Sequence, residues 1–149
     1  MVPSNGDLFV RQVGHHDAGS TFRCQTHHRL SKETRLSTSA GRLFVTDPQG
    51  NVPPRILDPL ATLRVKAGEN VVLPCPAQGY PQPTLIWYIK DVTGHLIPVP
   101  SSGRHSFHRE VLAIRDAQAA DSAMYVCVAS NIIGAAKAET ALTVIGEAL

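Results

Sequence analysis

The feature that most restricts how this chain can fold is a cysteine, a tryptophan and a second cysteine, Cys75, Trp87 and Cys127, separated by 12 and 40 residues. Each lies in a short segment of alternating apolar residues. In NVVLPCPA, Val71, Leu73 and Cys75 fall on one face; Leu85, Trp87 and Ile89 do so in PTLIWYIK, and Tyr125, Cys127 and Ala129 in AMYVCVA. Alternation with a period of two marks a strand with one buried face. Between the first two segments lies QGYPQPT, where Gly79, Pro81 and Pro83 exclude a helix and turn the chain. Two sheets with apolar inner faces must pack on each other.

About seven short strands, frequent turn signals and the Cys–Trp–Cys spacing predict an all-β chain, an immunoglobulin-like β-sandwich of the I-set type. Cys75 and Cys127 are expected to bond across the two layers, closing a loop of about fifty residues and stabilising the fold by roughly 4 kcal/mol in the chain-entropy model. Trp87 should cover that bond, with Leu73, Leu85, Leu112 and Ile114 filling the core around it. Tyr125, two residues before the second cysteine, is placed to hydrogen-bond the backbone at the corner between strands. Arg104 and Asp121 are expected to form a bidentate ion pair at the base of the sandwich.

A second copy of this pattern enters midway. DAGSTFRC, Asp17 to Cys24, resembles DSAMYVC, Asp121 to Cys127, and LFVRQV before the one matches LAIRDA before the other. GRLFVTD, Gly41 to Asp47, answers to TALTVIG, Thr140 to Gly146. The organisation expected is therefore a tandem array with its first domain truncated: residues 1–47 as the C-terminal half of one domain, 48–54 as a proline-rich linker, and 55–146 as a complete domain. Cys24 is left unpaired because nothing upstream can partner it, and Phe22 stands where Tyr125 stands but has no hydroxyl to donate. The half-domain should leave inner faces uncovered.

Hydrophobic residues make up 43% and charged residues 17% of the chain, with 14 Lys/Arg against 12 Asp/Glu. That balance is globular and too weakly basic for a nucleic-acid partner. No segment has the length of a membrane span, so any membrane attachment is expected only through regions absent from this chain. The seven histidines invite a metal reading, strongest at CQTHH. On a strand, however, Cys24 and His27 face opposite ways and no C-x-x-C supplies further ligands, so no metal and no cofactor are expected. Neither a nucleophile elbow nor an ordered triad is present, and an enzyme or a small-molecule substrate is not expected. The basic hairpin from His27 to Arg35 could touch heparan-type polyanions.

CPAQGYPQPTLIWY together with FRCQTHHRLSKETRLSTSAGRLFVTDP resembles the junction between the second and third immunoglobulin domains of the arthropod Down syndrome cell adhesion molecule family. The resemblance implies a cell-adhesion module in the extracellular part of a plasma-membrane receptor, neuronal or immune. It further implies homophilic binding in axon guidance and self-avoidance, the partner being another immunoglobulin-domain protein, the receptor itself. In that family the early strands make the contact, here RILDPLATLRVK. A twofold antiparallel pair centred on Ala61 would set Asp58 against Arg64 of the other copy, with Lys66 beyond. The competing readings are an immunoglobulin segment of a receptor kinase or phosphatase ectodomain and a cytosolic muscle-type spacer with reduced cysteines.

Overall fold

The computed structural model describes residues 6–8, 10, 12–108 and 110–146. Two compact units are present, one spanning Val10–Gln49 and the other Gly50–Leu149 together with the first residues of the chain. The smaller unit holds β1 (Thr21–Phe22), β2 (Gln25–His27), β3 (Thr34–Leu36) and β4 (Gly41–Arg42), paired as two antiparallel ribbons, β1 with β4 and β2 with β3. None of its described residues is buried; Phe22, Leu36 and Phe44 all stand exposed, as does the free Cys24.

Two expectations for this unit need correction. LFVRQV, whose Phe9 and Arg11 lie outside the described residues, forms no strand at Leu8, Val10, Gln12 or Val13. GRLFVTD is a strand only at Gly41–Arg42. The physical reason is pairing: LAIRDA, the matching segment, has its strand between two neighbouring strands, and among the described residues LFVRQV has no such neighbours. The polar turn does repeat. A short 3-10 turn, His15–Asp17, matches Ala119–Asp121, and in each the aspartate carboxylate accepts the backbone N–H three residues before it, Gly14 at 2.9 Å and Gln118 at 2.8 Å.

The larger unit comprises β5 (Val52–Ile56), β6 (Thr62–Lys66), β7 (Val71–Pro74), β8 (Ala77–Tyr80), β9 (Thr84–Lys90), β10 (Leu96–Pro98), β11 (His105–His108), β12 (Val111–Ile114), β13 (Ala123–Ser130) and β14 (Ala135–Ile145). They form a five-stranded sheet in the order β10-β9-β13-β14-β6, a three-stranded sheet β11-β12-β7, and a ribbon β5-β8. One long apolar segment is thus split in two at Cys75–Pro76. The Cys75 N–H reaches back to the Glu110 carbonyl at 2.7 Å, whereas the Pro76 carbonyl accepts from Leu57 at 2.9 Å, so the chain changes partners there. β5 and β8 approach so closely at Gly79 that a Cβ would lie 2.9 Å from the Pro83 ring and 3.2 Å from the Pro54 backbone.

The expected linker also shifts. Val52–Pro54, the last three of its residues, belong to β5. Proline lacks the N–H a central strand would need, but β5 has a single partner, and the ladder is interrupted between Val52 and Arg55, where Pro53 and Pro54 lie.

The core lies between the two main sheets. Val71, Leu73 and Cys75 meet Trp87, Leu112, Ile114, Tyr125 and Cys127, with Leu142 and Val144 closing one side and Leu85 and Ile89 half-buried against it. Cys75 and Cys127, 52 residues apart, are bonded at 2.00 Å. Trp87 is the direct cross-strand neighbour of Cys127, which lays the indole beside the disulfide.

Candidate functional site

At the base of the sandwich Arg104 presents both guanidinium nitrogens to Asp121, Nη1 to Oδ2 at 2.7 Å and Nη2 to Oδ1 at 3.0 Å. The carboxylate is buried and the guanidinium half-exposed. Those hydrogen bonds hold the Asp121 carboxyl below its ordinary value of 3.8, against the opposing pull of burial. Arg104 Nη1 also donates to the Asp116 carbonyl at 3.2 Å, so the pair ties the 3-10 turn to the loop before it. Tyr125 Oη donates to the Asp121 carbonyl at 2.9 Å, and burial pushes its phenol up to about 12. These groups are bonded to one another and to the backbone around the turn. An apolar groove is lined by Leu85, Ile86, Trp87, Pro98, Val99 and Phe107, carbon-rich side chains with no nucleophile or acid among them. Among the described residues no cluster of His, Cys, Asp and Glu is placed to hold a metal ion.

β6 forms one edge of the five-stranded sheet. It runs parallel to β14 with Thr62 beside Ala141, Arg64 beside Thr143 and Lys66 beside Ile145. The Ala61 carbonyl accepts from Ala141 and the Ala67 N–H donates to Ile145, each at 2.9 Å. Backbone groups alternate in direction along a strand, so residues 61, 63, 65 and 67 bond inward while those of Thr62, Arg64 and Lys66 point outward. Leu63 and Val65 pack their side chains toward the core, leaving Thr62, Arg64 and Lys66 exposed. Glu69 closes one end: its carboxylate accepts the Lys66 N–H at 2.9 Å and its own N–H donates to the Lys66 carbonyl at 3.2 Å. Among the described residues Thr62 and Arg64 are the open positions.

The structure separates the residues expected on this edge. Arg64 and Lys66 are on β6, whereas Asp58 lies before it at φ 41, a left-handed backbone that breaks an extended run. Leu60 is also turned inward, its carbonyl accepting from Thr140 Oγ1 at 2.6 Å. An antiparallel pair centred on Ala61 would need both residues extended and open, so that register does not fit.

Two residues that sequence reasoning passed over shape the unit's ends. Glu69, just described, is one. Asn131 is the other: its Nδ2 donates to the carbonyls of Val52 at 2.8 Å and Pro81 at 3.1 Å, and its Oδ1 accepts from Ile133 at 2.9 Å and Gly134 at 3.3 Å. The signal was present in NIIG, because asparagine three residues before glycine is turn chemistry.

Two sheets pinned face to face by a disulfide beside a tryptophan, with a tyrosine bonded at the corner, define an immunoglobulin domain. The chain belongs to that family: the Immunoglobulin domain model matches residues 53–131. Its relatives include mouse cell adhesion molecule DSCAML1, 42% identical over 145 residues, and Drosophila melanogaster cell adhesion molecule Dscam1, 38% identical over 148 residues. Each alignment covers 97% of this chain and 7% of the relative, so the chain spans a small part of the length of the proteins it matches. Among solved structures, the N-terminal four Ig domains of Dscam1 isoform 6.9 superpose with a TM-score of 0.87 at 37% identity, covering 98% of this chain and 38% of that one. The relatives are cell adhesion molecules from mammals as well as an insect, and the family is non-enzymatic.

Proposed function

We propose that this chain is a recognition segment of an extracellular cell-adhesion receptor that binds a second copy of itself through the β6 edge. The likeness to the N-terminal domains of Dscam1 supports assigning it to the junction of the second and third immunoglobulin domains of an arthropod member of that family, with roles in axon guidance and self-avoidance. The observation that carries the reading is the pair of open, outward backbone positions at Thr62 and Arg64.

Twofold pairing on this edge is best centred on Leu63. Thr62 of one copy then exchanges both backbone hydrogen bonds with Arg64 of the other, twice over, and the two arginines are not set directly opposite. A centre on Arg64 would oppose like charges and require Lys66, which Glu69 blocks. Main-chain pairing supplies the affinity in such an edge contact, and flanking side chains the specificity. Arg64→Pro tests it, because proline removes one outward N–H while the inward ladder to β14 is made by residues 61, 63, 65 and 67. Sedimentation equilibrium should show the wild type self-associating and the proline variant monomeric. A wild type that stays monomeric, or a variant that associates equally well, sinks the edge.

A further inference from the structure

The hairpin β2–β3 of the smaller unit carries a charge that the adhesion reading does not use. Between Arg23 and Arg35 stand four Lys/Arg and one carboxylate, Glu33. That carboxylate faces Arg35 at 3.4 Å. Among the described residues Arg23, Arg29 and Lys32 have no counter-charge, and all are exposed.

The tip that presents them is ordered by its own hydrogen bonds rather than by a core. The His28 N–H donates to the Glu33 carbonyl at 2.8 Å and the Lys32 N–H to the His28 carbonyl at 2.9 Å. The His28 ring is within hydrogen-bond distance of Ser31 Oγ at 2.8 Å and accepts the Ser31 N–H at 3.2 Å. Farther down the ribbon the His27 ring meets Thr34 Oγ1 at 3.0 Å. Lys32 itself sits at φ 59, a left-handed position that glycine fills without strain. A cation is therefore held at a place where local sterics favour a residue with no side chain at all. Because the loop is already fixed, a ligand that docks there pays little to order it.

From these features we infer that the β2–β3 hairpin is a docking site for a linear sulfated polysaccharide of the glycosaminoglycan class, held by Arg23, Arg29 and Lys32. An extended strand rises about 3.3 Å per residue, so Arg23 and Arg29 lie up to roughly 20 Å apart along the ribbon, a span that one phosphate or sulfate group cannot bridge and a polymer can. All three cations are exposed, so recognition is by charge density along a chain. Choosing a polysaccharide over other polyanions rests on the extracellular reading above. The hairpin lies in the other unit from the β6 edge, so loss of heparin retention and loss of self-association are read separately.

The test uses the complete chain on immobilised heparin as the sulfated probe. The wild type should be retained at about 0.15 M salt, the physiological range. The triple variant R23S/R29S/K32S should elute earlier, with affinity down at least about tenfold and the slope of log K against log salt reduced by about three. A control that removes the same number of exposed cations from the larger unit, R55S/R115S/K137S, should behave as the wild type. Circular dichroism of all three proteins should coincide, since every substituted residue is exposed. Wild-type protein that passes through at that salt overturns the proposal, as does equal loss in both triple variants. So does competition by duplex DNA or phosphatidylserine vesicles as effective as that of soluble heparin.

Discussion

Tyr125 donates its hydroxyl to the backbone carbonyl of Asp121, 2.9 Å away, at the corner where the 3-10 turn enters β13. Phe22 occupies the corresponding place after Asp17 and is exposed. Tyr125→Phe leaves one buried carbonyl without its partner and should cost about 1 kcal/mol in denaturant unfolding. It should also remove an alkaline effect. Because burial raises this phenol from 10.0 to about 12, its contribution is fully present below pH 10 and is lost as pH rises through that interval. Phe22→Tyr, by contrast, should change neither quantity. A tyrosine variant with wild-type stability and an unchanged alkaline slope would refute the corner's role.

The Arg104–Asp121 pair makes an acid-side prediction of the opposite sign. The carboxyl is held below 3.8 chiefly by the guanidinium hydrogen bonds, so its stabilisation is complete above pH 3.8 and is lost as pH falls through the lowered folded value. Asp121→Asn should lower the unfolding midpoint at pH 7 and flatten the dependence of that midpoint on pH below about 4. If the two proteins lose stability in parallel on acidification, the pair is not the titrating element.

The disulfide makes a prediction that can be counted. Folded, oxidised protein should show one thiol reactive under native conditions, Cys24, and the same single thiol after denaturation without reductant. Replacing Cys75 and Cys127 together by alanine should destabilise the larger unit by roughly 4 kcal/mol, the chain-entropy value for a loop of this length. Three titratable thiols in protein purified under oxidising conditions would contradict the bond.

Much of the larger unit was legible because its information is local. Alternation placed Leu73, Cys75, Trp87 and Cys127 on inner faces, and period-two side-chain geometry follows from the strand backbone alone. Arg104 and Asp121 lie 17 residues apart with β11 and β12 between them, and a buried carboxylate needs a charged partner. Less was legible in the smaller unit. Leu8 and Val10 alternate as well as Leu112 and Ile114 do, yet only the latter lie in a strand, β12, held by β11 on one side and β7 on the other. Strand propensity states a preference, and the hydrogen-bonding neighbour turns it into structure.

What the sequence by itself determined is thus the set of inward faces and the turn residues, which a residue carries within a few positions of itself, and the cysteine pair, 52 residues apart, which the spacing about Trp87 marks. The tertiary structure alone decided which backbone groups remain open on β6. That outcome depends on Thr140 capturing the Leu60 carbonyl across a separation of 80 residues, on the side of β6 taken by β14, and on Glu69 closing over Lys66. Hydrogen bonding along a strand edge is shared between chain segments remote in sequence, and the pattern of amino acids in the strand does not say which of its two sides the fold will leave free.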